Sequence, residues 1–295
     1  MKAPRFGYKR PATLAEGLAL LAEHGAEARL LAGGQSLLAS LAFRLSEPSV
    51  LIDISKLGEL KGVTRAGDVI RVGAGTTHAA LAADPLIKAH VPLIAQAIPL
   101  IAHAAIRNRG TIGGSLAFAD PAAELPACCV ALDARIVARS AKGERRIAAG
   151  DFFMGLFSTA LEPGDILTAV EFPAPAAGER VAIEEVARRS GDYAMAGVAV
   201  RAVSAGGSLK GVRIVFFGVG DGPVLARGAM AALEGTPAGT AQVAAARSAL
   251  AKDLDPPADQ HGGAAMKRHL AGVVLQRALV QIGASQGAGQ GAGTP

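Results

Sequence analysis

Within residues 13–24 the apolar positions Leu14, Leu18 and Leu21 recur at helical spacing, and Gly25 follows as a stop. Residues 28–32 (ARLLA) then form a short apolar run that predicts a buried strand. Gly33-Gly34-Gln35-Ser36 comes next, then a stretch beginning at Leu37 that reads as helical up to Pro48, then VLIDI (50–54) as another strand. Strand, glycine turn, helix and strand within the first 55 residues make a β-α-β unit, so a small parallel sheet covered by helices is expected there.

From residue 57 to 173 strands dominate. VIRVGAG and ARIVARS are strand-like, and residues 165–172 place Ile166, Thr168, Val170 and Phe172 at alternate positions. Two helices are predicted between them, one over 90–107 ending at Gly110, and one opened by Asp120 as N-cap with Pro121 in its first turn. APAAGER (174–180) reads as a boundary. Beyond it VAIEEVARR and SLKGVRIVFFGV predict strands, followed by helices near 224–233, 240–254 and 264–282. The last residues, SQGAGQGAGTP, lack side chains that build a core and predict a flexible tail. The domains expected are 1–55, 56–175 and 176–284, with 285–295 as the tail.

Composition narrows the function. Of 295 residues 51% are hydrophobic and 19% charged, enough apolar surface for a substantial core. Aromatic residues make up 4% with no Trp, which leaves no base-stacking platform and argues against a nucleic-acid partner. The net charge of +5 is spread along the chain. No window reaches the roughly 18 uninterrupted apolar residues of a membrane span, because Pro92, Gln96, Pro99 and His103 break the longest candidate. Glu16 and Glu23 sit where a signal peptide would be apolar, so the expected location is cytoplasmic, or peripheral to the inner face of the membrane through a complex. The only two cysteines, Cys128 and Cys129, are adjacent, a spacing that suits neither a disulfide framework nor a chelating pair. An iron–sulfur cluster, which usually needs four thiolates, is excluded from this chain alone.

Two stretches pair glycines with small polar neighbours, Ala32-Gly33-Gly34-Gln35-Ser36 and Thr111-Ile112-Gly113-Gly114-Ser115, about 80 residues apart. Glycine brings its backbone close to a phosphate, so both loops are expected to offer N–H groups, with Ser36 or Ser115 hydroxyls as further donors and a helix dipole behind the first loop. From the glycines alone, ordinary tight turns are the competing reading. Gly218-Val219-Gly220-Asp221-Gly222-Pro223 has Pro in the sixth position of a dinucleotide fingerprint and is set aside. The six histidines show no metal-binding spacing. Arg107 and Arg109 could equally grip a phosphate or close a helix.

Taken together, LLAGGQSLL, IRNRGTIGGSLAFADPAAELPA, TALEPGDILTAVEFP and ARRSGDYAMAGVAV resemble one family, the FAD-binding medium subunits of molybdenum hydroxylases, with aerobic carbon monoxide dehydrogenase nearest in layout. The likeness runs from Phe6 to about Ile282. It implies an α+β chain: a two-subdomain FAD-binding fold of the vanillyl-alcohol-oxidase-like (PCMH) type, then a C-terminal domain of small antiparallel sheet and helices. It implies an FAD pyrophosphate between the loops, contacted by Ala32, Gly33, Gly34, Gln35, Ser36, Leu37, Thr111, Ile112, Gly113, Gly114 and Ser115. Asp120 and Glu124 would help hold the ribose and adenylate portion, Leu167 would lie near it, and Tyr193 would stand beside the isoalloxazine ring. Ser115 replaces an Asn frequent in relatives, with one fewer donor. Glu184 and Glu185 lie where some relatives carry Lys near the flavin. A carboxylate facing the ring would lower its potential, but the preferred reading makes both exposed strand residues.

The implied activity is electron transfer in a heteromer. A small iron–sulfur subunit and a large molybdenum subunit would carry the [2Fe-2S] clusters and the molybdenum cofactor, as a dimer of heterotrimers, while this chain passes electrons to an outside acceptor. The alternatives are a stand-alone FAD-dependent reductase of the same fold and a flavin-free assembly subunit.

Overall fold

The computed structural model describes residues 2–283. The tail expected over 285–295 lies outside the described residues. The chain divides into two compact units, Met1–Asp120 with Asp133–Ala174, and Pro121–Leu132 with Pro175–Pro295.

In the first unit the strands Gly7–Lys9, Val50–Asp53 and Ala28–Leu31 form a parallel sheet with Val50–Asp53 in the centre, as the β-α-β pattern requires. The helix Leu14–His24 makes the first crossover. Thr13 caps it by accepting the Glu16 amide at 3.1 Å, and Leu14 and Leu21 pack with Ile52, Leu57, Leu60 and Ile166. The second crossover helix spans only Leu37–Ala42, well short of Pro48. Arg44 takes a left-handed φ of 57°, and Leu38, Phe43 and Leu45 are exposed, so the apolar run has little to bury against.

Five antiparallel strands follow, in the order Val63–Ala66, Val69–Gly73, Ile166–Pro173, Arg135–Ser140, Gly143–Ala148. The central strand is buried continuously from Ile166 to Val170, so its alternation does not mark a wet face. The single helix expected over 90–107 is instead three short ones, Pro85–His90, Pro92–Ala97 and Ala104–Arg107. Pro92 has no amide and fits only a first turn, so the chain restarts there. Between the last two, Ala102 is left-handed and the Arg107 guanidinium donates to the carbonyls of Ile101 and Ala102 at 2.8 and 2.7 Å.

In the second unit the helix Glu124–Ala131 is buried along its whole length and packs on the strands Ala194–Ala205 and Ser208–Phe217. It starts three residues after the expected Asp120-Pro121 opening. Ala119, left-handed, ends the preceding helix, and the Pro121 carbonyl accepts the Gly218 amide at 2.8 Å, which keeps 121–123 out of a helical ladder. The antiparallel sheet runs Glu179–Ala187, Ala194–Ala205, Ser208–Phe217, Val224–Leu225. Its longest strand, Ala194–Ala205, was not among the predicted strands. It is buried through Ala196–Val200, and its run of Ala, Val and Gly fits helix and strand equally. The helices Arg227–Leu233, Thr240–Asp253 and Ala264–Gln281 supply the rest of this core.

Candidate functional site

The two glycine motifs, distant in sequence, touch. A β-carbon on Gly33 would lie 2.1 Å from the Arg109 carbonyl oxygen and 2.9 Å from the Gly110 Cα, distances that only a glycine permits. A β-carbon on Gly114 would come within 3.9 Å of the Ala32 Cβ. Gly113 is pressed against Ala74, where an added β-carbon would stand 2.5 Å from the alanine Cβ. The Gly113 amide donates to the Ala74 carbonyl at 2.9 Å, and the Ala74 amide donates to the Thr168 carbonyl at 2.9 Å. The chain of contacts thus runs from the first loop through the second to the strand that carries Leu167, itself buried.

The motifs differ in what their amides do. The second motif is the first turn of an unforeseen helix, Ile112–Phe118, capped by Thr111. From Ile112 onward its amides are engaged: Ile112 to the Thr76 carbonyl at 3.1 Å, Gly113 to Ala74, Gly114 to Thr111 Oγ1 at 3.0 Å, and Ser115 to the Thr111 carbonyl at 3.0 Å. In the first motif no described residue accepts the amide hydrogens of Gly34, Gln35, Ser36 or Leu37. Gly34 has φ 74°, and Gln35 Nε2 donates back to the Gly33 carbonyl at 3.0 Å, fixing the turn. A left-handed residue followed by consecutive free N–H groups is an anion-binding concavity. The first loop thus leaves four consecutive amides unengaged, while those of Ile112 to Ser115 in the second are bonded within the protein.

Ser115 is half-buried in this cluster, and Asp120 is the half-buried last residue of the first unit's leading segment. Glu124 and Tyr193 belong to the second unit. Glu124 is buried at the start of its helix, while Tyr193 is 58% exposed. Arg107 serves backbone carbonyls, and Arg109 contributes its carbonyl to the Gly33 crossing. Cys128 and Cys129 are buried free thiols, and burial raises both above their ordinary range. Among the described residues there is no group of His, Cys, Asp and Glu that could hold a metal ion.

The reading of Glu184 and Glu185 as exposed needs correction, since both are half-buried. Adjacent on a strand, they point to opposite faces. Glu184 accepts from Gln281 Nε2. Glu185 Oε2 is buried without a hydrogen-bond partner, and burial, then Glu184, raises its carboxyl to about 7.

A run of unengaged main-chain amides in a glycine turn after a parallel strand, packed against a second glycine motif, is a candidate site for an anionic group. Residues 4–175 match the FAD binding domain in molybdopterin dehydrogenase, and residues 181–282 match the CO dehydrogenase flavoprotein C-terminal domain. The chain belongs to the FAD-binding medium subunits of the molybdenum hydroxylases, as an oxidoreductase subunit of carbon monoxide dehydrogenase type. It is 37% identical over 279 residues to the carbon monoxide dehydrogenase medium chain of Hydrogenophaga pseudoflava, covering 95% of this chain and 97% of that one. It is also 37% identical over 282 residues to the 6-hydroxypseudooxynicotine dehydrogenase complex subunit alpha of Paenarthrobacter nicotinovorans, covering 95% of each. A solved structure of the Hydrogenophaga pseudoflava carbon monoxide dehydrogenase superposes with a TM-score of 0.94 at 38% identity, covering 96% of this chain and 99% of that one. No helix among the described residues is long and apolar enough to cross a membrane.

Proposed function

We propose that this chain holds FAD in a heteromeric molybdenum hydroxylase and passes electrons from iron–sulfur clusters in a small partner subunit to an external acceptor. The observation that carries the reading is the free amide run Gly34, Gln35, Ser36 and Leu37, folded against the second glycine motif inside the matched FAD-binding region. These four amides receive the diphosphate, Ala32 and Gly33 set the approach, and the Ser36 and Ser115 hydroxyls add donors. Thr111, Ile112, Gly113 and Gly114 hold the opposing wall. Asp120 and Glu124 serve the ribose and adenylate end, Leu167 lines the same region, and Tyr193 stands beside the ring. FAD, when bound, supplies the redox chemistry, taking electrons singly and giving them in pairs.

With two buried thiols and no metal-binding group among the described residues, the clusters and the molybdenum centre fall to other subunits, in a dimer of heterotrimers. Substrate choice falls to the large subunit. Relatives at the same 37% identity carry the names of enzymes for carbon monoxide and for 6-hydroxypseudooxynicotine, so this subunit accompanies different chemistries. Native mass spectrometry of the complex, with the flavin absorbance near about 450 nm, tests the reading. Two partner subunits and one FAD per chain are expected. A colourless chain that takes up no FAD would contradict it, and a flavoprotein that oxidises substrate alone would replace it with the stand-alone reductase.

A further inference from the structure

We infer that His78 is a positioning residue for the cofactor site, its ring wedged behind the second glycine motif so that the motif stays closed against the amide run of the first. The inference rests on reading that run as the FAD cradle.

The wedge is built from contacts on one side of the site. His78 opens the helix His78–Ala83, and its amide donates to the Gly110 carbonyl at 2.9 Å. Thr77 and Thr111 form a bridge alongside. A β-carbon on Gly110 would meet the His78 ring at 3.2 Å (Cε1) and 3.3 Å (Nδ1), so the imidazole lies directly against that glycine. Gly110 in turn abuts Gly33, which precedes the free amides of Gly34 to Leu37. Three links therefore join the ring to the cradle: His78 to Gly110, Gly110 to Gly33, and Gly33 to Gly34.

The ring is 5% exposed, and neither nitrogen makes a hydrogen bond of normal geometry. A buried polar side chain without a partner is costly, and it persists where packing holds it. Burial foremost lowers its pKa to about 4. The Thr111 backbone pulls it back up, and Arg107, the smaller effect, pushes it down. The helices packed against His78–Ala83 carry Lys88 and His90 on Pro85–His90 and Arg107 on Ala104–Arg107, with no ionisable residue on Pro92–Ala97. His90 is in contact with Arg65, and Asp84 caps Leu86 and Ile87. Arg107 is the charge that bears on the ring. A protonated imidazole cannot remain uncompensated in that place, so protonation drives the ring out and releases Gly110 from Gly33.

The test is the rate of FAD release from the holoprotein at pH 7 and pH 5, for wild type and for His78→Gln, which is polar and does not titrate. A ring that titrates near 4 when wedged and near its ordinary 6.5 when released makes wild-type release about twentyfold faster at pH 5 than at pH 7. His78→Gln is expected to show a flat profile, whereas a purely structural role would leave the two profiles parallel. Parallel profiles overturn the inference and leave the cradle standing. If wild type takes up no FAD, the cradle reading falls and the inference falls with it. Should His78→Gln fail to fold, an NMR titration of the wild-type His78 ring decides: a ring neutral down to about pH 5 supports the wedge, and titration near 6.5 overturns it.

Discussion

The carbonyl oxygen of Arg109 occupies the space that a β-carbon on Gly33 would need, 2.1 Å away. The glycine is required because one stretch of backbone crosses another there, next to the amides proposed to receive the cofactor. Gly33→Ala is expected to cost about 1–3 kcal/mol of stability by overpacking and to yield protein with little FAD. Gly58→Ala, where a β-carbon would meet nothing within 4 Å, serves as the control and should stay within about 0.5 kcal/mol. Thermal unfolding and the flavin content of both variants check the pair. A flavin-replete Gly33→Ala would count against the crossing.

Ser115 sits in the second motif with its amide already bonded to the Thr111 carbonyl, so only its hydroxyl is available to a ligand. Ser115→Ala is expected to weaken FAD binding by about three- to tenfold, the loss of one modest hydrogen bond. Fluorescence titration of deflavinated protein measures this directly. Unchanged affinity would remove Ser115 from the contact set.

Tyr193 is 58% exposed, so truncating its side chain removes little core packing. Tyr193→Ala should retain FAD and unfold within a few degrees of wild type, while shifting the flavin reduction potential. Potentiometry on the purified complex is the check, and an unshifted potential would return Tyr193 to a surface role.

Glu185 supplies a pH dependence of known sign. Its carboxyl rises from the ordinary 4.5 to about 7, so the folded chain binds that proton more tightly than the unfolded one. The associated stability is fully present below about 4.5 and is lost as pH climbs through 7. Glu185→Gln should therefore raise stability relative to wild type at pH 8, by about 1 kcal/mol once solvent screening of a partly exposed group is allowed for, and not at pH 4. Melting temperatures at the two pH values test it, and an offset independent of pH would contradict it.

Much of this was legible in the chain. The helix Leu14–His24 and the parallel strands around Val50–Asp53 follow from apolar spacing and a stop at Gly25. Both glycine motifs were visible, because paired glycines beside small polar residues stand out from the surrounding apolar pattern. Their division of labour was not. Whether an amide is free depends on partners far along the chain, such as Ala74 for Gly113 and Thr76 for Ile112, and no local pattern encodes them. Thr111 gave a usable signal, an N-cap three residues before Gly114, which would have placed the second motif on a helix. His78 gave none, since a lone histidine after Thr77 looks the same buried or exposed. The helix Leu37–Ala42 was overextended because an apolar run implies burial only when something covers it, and Phe43 and Leu45 are uncovered.

Amide hydrogen exchange, resolved residue by residue with and without FAD, tests the central claim most directly. The account predicts that the amides of Gly34, Gln35, Ser36 and Leu37 exchange fast in the free chain and slow strongly on FAD binding. Those of Gly113, Gly114 and Ser115 should be protected already and change little. Protection that appears at the second motif while 34–37 stay unprotected would contradict it.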